Sequence, residues 1–73
     1  MPKMTDDLIR IVAAGGGVEL DAGAKMTDDL IRIAAASQRS GAKVVIKNAG
    51  SKMTNDLIRI ASAGKGNVSF LDL

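Results

Sequence analysis

A nine-residue phrase occurs three times in this chain, and its repetition constrains the fold more than any other feature of the sequence. KMTDDLIRI occupies positions 3–11 and recurs unchanged at 25–33, and KMTNDLIRI occupies positions 52–60 with a single Asp-to-Asn change. The three copies begin 22 and 27 residues apart. Periods of about 20 to 50 residues are typical of repeat architectures, in which each unit covers the apolar face of its neighbour. We therefore interpret the phrase as a building element and not as a site used three times.

Each copy of the phrase has the pattern of a helix N-terminus. A threonine is placed to cap the first turn, and the acidic residues after it complement the positive end of the helix dipole. The methionine before the threonine has the spacing of a hydrophobic staple, and the apolar residues that follow recur with helical periodicity. The predicted caps are Thr5, Thr27 and Thr54; the predicted staples are Met4–Ile9, Met26–Ile31 and Met53–Ile58; and the predicted i,i+4 ion pairs are Asp6–Arg10 and Asp28–Arg32.

After each helix come glycines and then a short run rich in β-forming residues: VELDA, KVVIKNA and NVSFLDL. Helices that alternate with strands over short connections favour parallel pairing through right-handed crossovers. We predict an α/β fold in one domain, residues 1–73, built from three tandem units at 3–22, 25–49 and 52–73. Its three-stranded parallel sheet has the order 1-2-3, the three helices lie on one face, and the middle helix is about one turn longer than the others.

The sheet face away from the helices has no cover within the predicted domain, although part of that face is apolar. A chain of 73 residues buries only about 60% of the surface that its unfolded form exposes, and without cysteine it has no disulfides to compensate. We therefore predict self-association as a homodimer, through the uncovered face or the sheet edges. If Val18, Val44 and Val68 point at the helices, the interface residues are Glu19, Val45, Lys47, Leu71 and Leu73.

The strand register stays open at this point. If side-chain alternation along the strands sets the register, Val44 aligns with Val18. If the distance to the following helix sets it, Val45 aligns with Val18. A shift of one residue exchanges the two faces of a strand, so the choice decides which side chains are uncovered.

The composition argues against an enzyme and against a metal or cofactor site. The chain has no histidine and no cysteine, which removes the commonest general base, metal ligands and nucleophile pairs. Ser51 and Lys52 remain as a serine–lysine pair, but adjacent residues rarely present that geometry. The glycines mostly follow helices, whereas a phosphate-binding loop lies between a strand and a helix. We predict no catalytic residue, no metal and no cofactor.

A nucleic-acid-binding module is the alternative function. Cations recur at equivalent positions in the three copies, and such a ladder could follow a phosphate backbone. Against this, the net charge is only +2 and Phe70 is the one aromatic residue, so bases have no stacking platform. The ladder residues are Lys3, Lys25, Lys52, Arg10, Arg32 and Arg59.

The layout of the chain resembles that of leucine-rich repeats, particularly the longer type with a full helix in each repeat. The segments that carry the resemblance are VELDAGAKMTDDLIRIAAA and VVIKNAGSKMTNDLIRIAS, within residues 18–63. In that family a short strand ends near an asparagine, and Asn48 has a comparable place here, whereas Asp21 and Asp72 stand at the other two. The resemblance implies a curved strand surface that binds other proteins. The near-identity of the copies fits a recent duplication and a deliberate design equally well.

Nothing in the sequence indicates export or membrane insertion. The first residues contain no apolar run of signal-peptide length, and no segment approaches the roughly 18 consecutive apolar residues of a membrane span. The absence of cysteine fits a reducing compartment. We expect a cytoplasmic protein with no membrane partner.

Overall fold

The structure, a computed structural model, describes residues 4–73 and consists of three helices alternating with three strands. The central strand pairs in parallel with both of the others, so the sheet has the order 1-2-3. The predicted α/β class and strand order are thus confirmed. The elements are α1 (Thr5–Ala13), β1 (Val18–Asp21), α2 (Thr27–Ser40), β2 (Val44–Lys47), α3 (Thr54–Gly64) and β3 (Val68–Phe70), with short 3₁₀ turns at Ala22–Ala24 and Ala49–Ser51.

All three helices begin in the same way, one residue earlier than the phrase predicts. The methionine before each threonine is the N-cap, in extended conformation, and the threonine is the first helical residue. No side chain caps these three N-termini, and the methionine side chains are 73–74% exposed. The predicted threonine caps and methionine staples are therefore wrong, whereas acidic residues do occupy each first turn. The first helical bonds run from Leu8 to Met4, Leu30 to Met26 and Leu57 to Met53, each at 3.1 Å between N and O.

The C-terminal ends of α1 and α2 are tied down by side chains that lie later in the chain. The Ser40 hydroxyl donates to the Val12 carbonyl oxygen at 2.6 Å, and the Asn67 side-chain amide donates to the Ser37 carbonyl oxygen at 2.9 Å. Both carbonyl oxygens also accept a backbone N–H, from Gly15 and Gly41, so each side chain adds a second hydrogen bond at a helix end. Gly41 ends α2 in the left-handed conformation, with φ 80°.

The register of the sheet settles the alternative that the sequence leaves open. Val18 pairs with Val44, and Val44 pairs with Val68. The second unit has one more residue than the first between its strand and the following helix, and the structure accommodates it at Asn48. This residue adopts the left-handed conformation, with φ 56°, which asparagine tolerates better than most residues.

The core lies between the helices and one face of the sheet. Val44 and Ile46 of β2 are buried, and alternate residues of β1 and β3 pack against the same cluster. The opposite face carries the residues between them, which stay outside the core. The largest fully buried side chains are Leu30, Ile33, Ile46, Ile60, Val12, Val44 and Ser37. No helix in residues 4–73 is long and apolar enough to cross a membrane.

We expect Gly64→Ala to destabilise the fold. Gly64 is buried at the end of α3, and a Cβ there would overlap the Val68 side chain. Overpacking costs about 1–3 kcal/mol, against a gain of roughly 0.5–1 kcal/mol when alanine replaces glycine in a helix. Urea unfolding should therefore give a net loss of about 1–2 kcal/mol. Ser62→Ala, on the exposed side of α3, is the control and should stay within about 0.5 kcal/mol of the parent.

Candidate association surfaces

The outer sheet face consists of Glu19, Val45, Lys47, Ser69 and Leu71. Glu19 lies opposite Val45 in the register, and the Lys47 ammonium reaches the Glu19 carboxylate at 3.4 Å. Val45 is half-buried, although no second layer covers it. Four of the five predicted interface residues thus come together on this face: Glu19, Val45, Lys47 and Leu71. The apolar part of the face is small, and a charged pair lies beside it.

Leu71 continues the register of β3, but Leu73 does not. The Leu71 N–H donates to the Ile46 carbonyl oxygen at 2.9 Å, and its side chain is 45% exposed. At Asp72 the chain turns through a left-handed conformation, with φ 62°, so alternation ends there. Leu73 is 80% exposed and lines a groove beside Leu57 and Ile58 of α3. The prediction that Leu73 lies on the uncovered sheet face is wrong for this reason.

A shallow groove lies on the outer side of each terminal helix, because α2 separates α1 from α3. The first groove has a volume of about 470 Å³ and is lined by Asp7, Arg10, Ile11 and Ala14. The second has a volume of about 430 Å³ and is lined by Gly50, Lys52, Thr54, Leu57, Ile58, Ala61, Phe70 and Leu73. Both grooves run along a helical stripe with the spacing i, i+3, i+4, i+7.

Ile11 and Ile58 lie exposed in these grooves, and the sequence analysis did not predict that exposure for either residue. Ile11 is 41% exposed and Ile58 is 56% exposed, although both belong to the apolar pattern of the repeated phrase. One signal in the sequence could have identified them. Terminal repeats lack a neighbour on one side, so equivalent residues cannot all be covered.

The arginines of the repeat form ion pairs between neighbouring helices. Arg32 reaches Asp6 of α1 at 3.0 Å, and Arg59 reaches Asp28 of α2 at 3.7 Å. Each of the two also approaches an aspartate of its own helix, three residues earlier, at 3.8 Å. The predicted i,i+4 pairs Asp6–Arg10 and Asp28–Arg32 are therefore wrong. The partner of each bridging arginine is instead the first acidic residue of the preceding helix.

Ion pairs and a hydrogen bond engage the charged groups of three of the six residues of the predicted cation ladder. Arg32 and Arg59 are engaged by carboxylates, and the Lys52 ammonium donates to the Lys25 carbonyl oxygen at 3.1 Å. Arg10 lies in the groove on the outer side of α1. Lys3 lies outside the described residues. Among residues 4–73, Arg32 and Arg59 thus share their surface with aspartates, which offset their positive charge.

The polar groups of the interior are used within the fold. No buried side-chain nitrogen or oxygen among residues 4–73 lacks a hydrogen-bond partner, and no three histidine, cysteine, aspartate or glutamate side chains of that range come together in a metal-binding group. The Ser37 hydroxyl, which is fully buried, donates to the Ala34 carbonyl oxygen at 2.6 Å. Comparisons with models of protein families, with curated proteins and with solved structures found no match to this chain.

The pKa of the Asp21 carboxyl group is lowered by the hydrogen bonds around it. Its carboxylate accepts the Gly23 N–H at 2.8 Å and the Asn48 side-chain amide at 2.7 Å. These two bonds, with a smaller contribution from the charge of Lys47, lower the pKa of Asp21 below its ordinary value of 3.8. The carboxylate thereby joins the turn after β1 to the turn after β2.

We expect Asp21→Asn to destabilise the protein less at acid pH than at neutral pH. A lowered pKa in the folded state means that the Asp21 carboxylate contributes stability above its unfolded pKa, and that this contribution is lost as the pH falls through the folded value. The window therefore lies below 3.8. Urea unfolding of parent and variant at about pH 7 and about pH 2.5 measures the difference. A penalty of equal size at both pH values would contradict this assignment.

Proposed function

We propose that this chain is a non-enzymatic repeat module whose function is association, in the first place with a second copy of itself. The observation that supports this proposal most strongly is the amount of apolar surface left uncovered on so small a fold. Exposed apolar side chains that cluster are typical of interaction surfaces. The large apolar residues that are exposed are Met4, Ile11, Met26, Met53, Ile58, Leu71 and Leu73.

The sheet supports the same proposal. β1 and β3 are edge strands, and an edge strand presents unpaired backbone groups to which another chain can add. The outer sheet face adds Val45 and Leu71 as apolar contacts. A homodimer through this face or these edges is the simplest arrangement, because a two-fold interface uses the same patch twice.

A different protein is a second candidate occupant of the outer sheet face. The layout of the repeats resembles that of leucine-rich repeats, in which the curved strand surface binds other proteins. The near-identity of the three copies supports a scaffold that arose by recent duplication or by design. Binding to nucleic acid through the Lys and Arg ladder is the alternative function. Arg32 and Arg59 form ion pairs with aspartates, whose negative charge disfavours binding to a phosphate backbone.

Solution mass against concentration is the experiment that tests the proposal. Sedimentation equilibrium in moderate salt should give a mass above 7.5 kDa that rises with concentration, without any added ligand. A constant mass of one chain over the whole range would contradict self-association. A parallel titration with a DNA duplex tests the alternative, which requires affinity that falls steeply as salt is raised.

We expect Leu71→Asp to weaken assembly and stability together if the outer sheet face is the contact. Leu71 is 45% exposed and lies beside β2, so an aspartate there would place a charge in the interface. Gln38→Glu is the control, because it adds a carboxylate at an exposed position of α2, away from the outer sheet face. Sedimentation and urea unfolding of both variants make the comparison. Unchanged assembly and stability in Leu71→Asp would remove this face from the interface.

A further inference from the structure

Each helix of the stack carries two stripes that can be compared position by position between repeats. The stripe toward the preceding repeat is termed the N-side stripe, and the stripe toward the following repeat is termed the C-side stripe. The N-side stripes are Asp7, Arg10, Ile11 and Ala14 in α1; Asp29, Arg32, Ile33 and Ala36 in α2; and Asp56, Arg59, Ile60 and Ala63 in α3. The C-side stripes are Thr5, Leu8, Ile9 and Val12; Thr27, Leu30, Ile31 and Ala34; and Thr54, Leu57, Ile58 and Ala61.

The N-side isoleucine is fully buried wherever a preceding repeat is present. Ile33 and Ile60 are both 0% exposed, whereas the equivalent Ile11 is 41% exposed. The three residues stand at the same place in the same nine-residue phrase, so the difference comes from the neighbour and not from the local sequence. The groove on the outer side of α1 is the N-side stripe of the first repeat without its cover.

The C-side stripe shows the same difference at the other end of the stack. Ile9 and Ile31 are partly buried and pack against the core, whereas the equivalent Ile58 is 56% exposed. The groove on the outer side of α3 contains the C-side stripe of the third repeat, together with Phe70 and Leu73. Within the described residues, one end of the stack therefore exposes the N-side stripe of α1 and the other exposes the C-side stripe of α3. Stripes of these two kinds pack against each other at both internal junctions, so the two end surfaces are complementary.

We propose that the N-side stripe of α1 in one copy docks into the C-side groove of α3 in a second copy, so that the two stacks join head to tail. The inference rests on the proposed function and specifies which surfaces carry it. Ile11 would then take the position against Ile58 that Ile33 and Ile60 have at the internal junctions. The free edge of β1 in one copy would pair with the free edge of β3 in the other and extend the parallel sheet.

Asn55 sets the strength of this junction. At both internal junctions an arginine reaches the first acidic residue of the preceding helix, as Arg32 does to Asp6 and Arg59 does to Asp28. At the junction between copies the arginine is Arg10, and the residue equivalent to Asp6 and Asp28 is Asn55. The amide accepts a hydrogen bond but carries no charge. Asn55 is the one change in the repeated phrase, and it lies where a carboxylate would strengthen contact between copies. Without that charge, head-to-tail joining is weaker than the packing of repeats within one copy.

The junction is heterologous, so it leaves a free end at each side of a pair. Such contacts grow into open assemblies unless the rotation between copies closes a ring. This separates the inference from a two-fold dimer through the outer sheet face, which would stop at two copies. Loss of one charged contact at every copy-to-copy junction limits that growth.

Mixing two end variants tests the geometry. Ile11→Lys places a charge on the N-side surface of α1, and Ile58→Lys places one on the C-side surface of α3. Both residues are exposed enough for the fold to accommodate lysine. Each variant alone should remain monomeric in sedimentation at concentrations where the parent associates. An equimolar mixture should form a 1:1 dimer that does not grow further, because one intact N-side surface meets one intact C-side surface. Circular dichroism checks that both variants keep the parent fold.

Asn55→Asp tests the role of the missing charge. An exposed ion pair contributes little, so the association constant should rise about two- to fivefold at low salt, and the gain should disappear at about 1 M salt. Gln38→Glu, which adds the same charge on the exposed side of α2, should leave association unchanged. An association constant for Asn55→Asp equal to that of the parent at low salt overturns the role given to Asn55.

The outcomes separate the two proposals. Association that persists in both lysine variants but is lost in Leu71→Asp overturns the head-to-tail junction and leaves self-association standing. A parent chain and an Asn55→Asp variant that both remain monomeric up to millimolar concentration overturn both proposals. Recovery of a 1:1 dimer only in the mixture supports the head-to-tail junction, since a two-fold interface cannot be restored by mixing two variants that both damage it.

Discussion

The structure depends on the burial of one helix stripe against the next. A helix of 9 to 14 residues is marginal in water, and most helical stability in proteins comes from packing of the apolar face. Here Ile33 and Ile60 are removed from water by the neighbouring repeat and by the sheet beneath. The Arg–Asp pairs across the junctions are exposed, so each contributes at most about 1 kcal/mol and serves mainly to align the helices.

The same dependence explains why the ends of the stack differ from its middle. A repeat that needs a neighbour on both sides leaves apolar surface wherever the stack stops. Ile11 and Ile58 carry that surface, and natural repeat proteins commonly cover it with a polar terminal unit. In this chain the terminal units keep the apolar residues, and the only polar adjustment within the phrase is Asn55. The proposed association of copies is based on this exposed apolar surface.

The helix C-termini show a second layer of dependence between units. Ser40 is the last residue of α2 and Asn67 follows α3, and the side chain of each donates a hydrogen bond to a carbonyl oxygen at the end of the preceding helix. Neither residue belongs to the nine-residue phrase. The phrase thus forms the start of each helix, whereas residues outside the phrase make the hydrogen bonds at the C-terminal ends of α1 and α2. Gly64 belongs to the same region, where the close approach of Val68 leaves no room for a side chain.

Much of the architecture could be predicted because it depends on local patterns. A window of about ten residues is enough to recognise each of these patterns: the helical spacing within the phrase, the glycines after it and the β-branched residues that follow. The helix starts were misplaced by one residue, since threonine fits both the N-cap and the first helical position, and only the backbone conformation of the preceding methionine distinguishes them. The ion pairs were misassigned because an arginine on a helix can reach a neighbouring helix as easily as its own preceding turn.

The sequence by itself determined the α/β alternation, the strand order 1-2-3 and the longer middle helix, since these follow from periodicity and short connections. Only the tertiary structure decided the register, through the left-handed conformation of Asn48, and the position of Leu73, through the turn at Asp72. It alone also distinguished three identical isoleucine positions by their exposure. The physical reason is that the burial of a residue depends on what packs beside it. Identical nine-residue sequences contain no information about which copy has a neighbouring repeat on a given side.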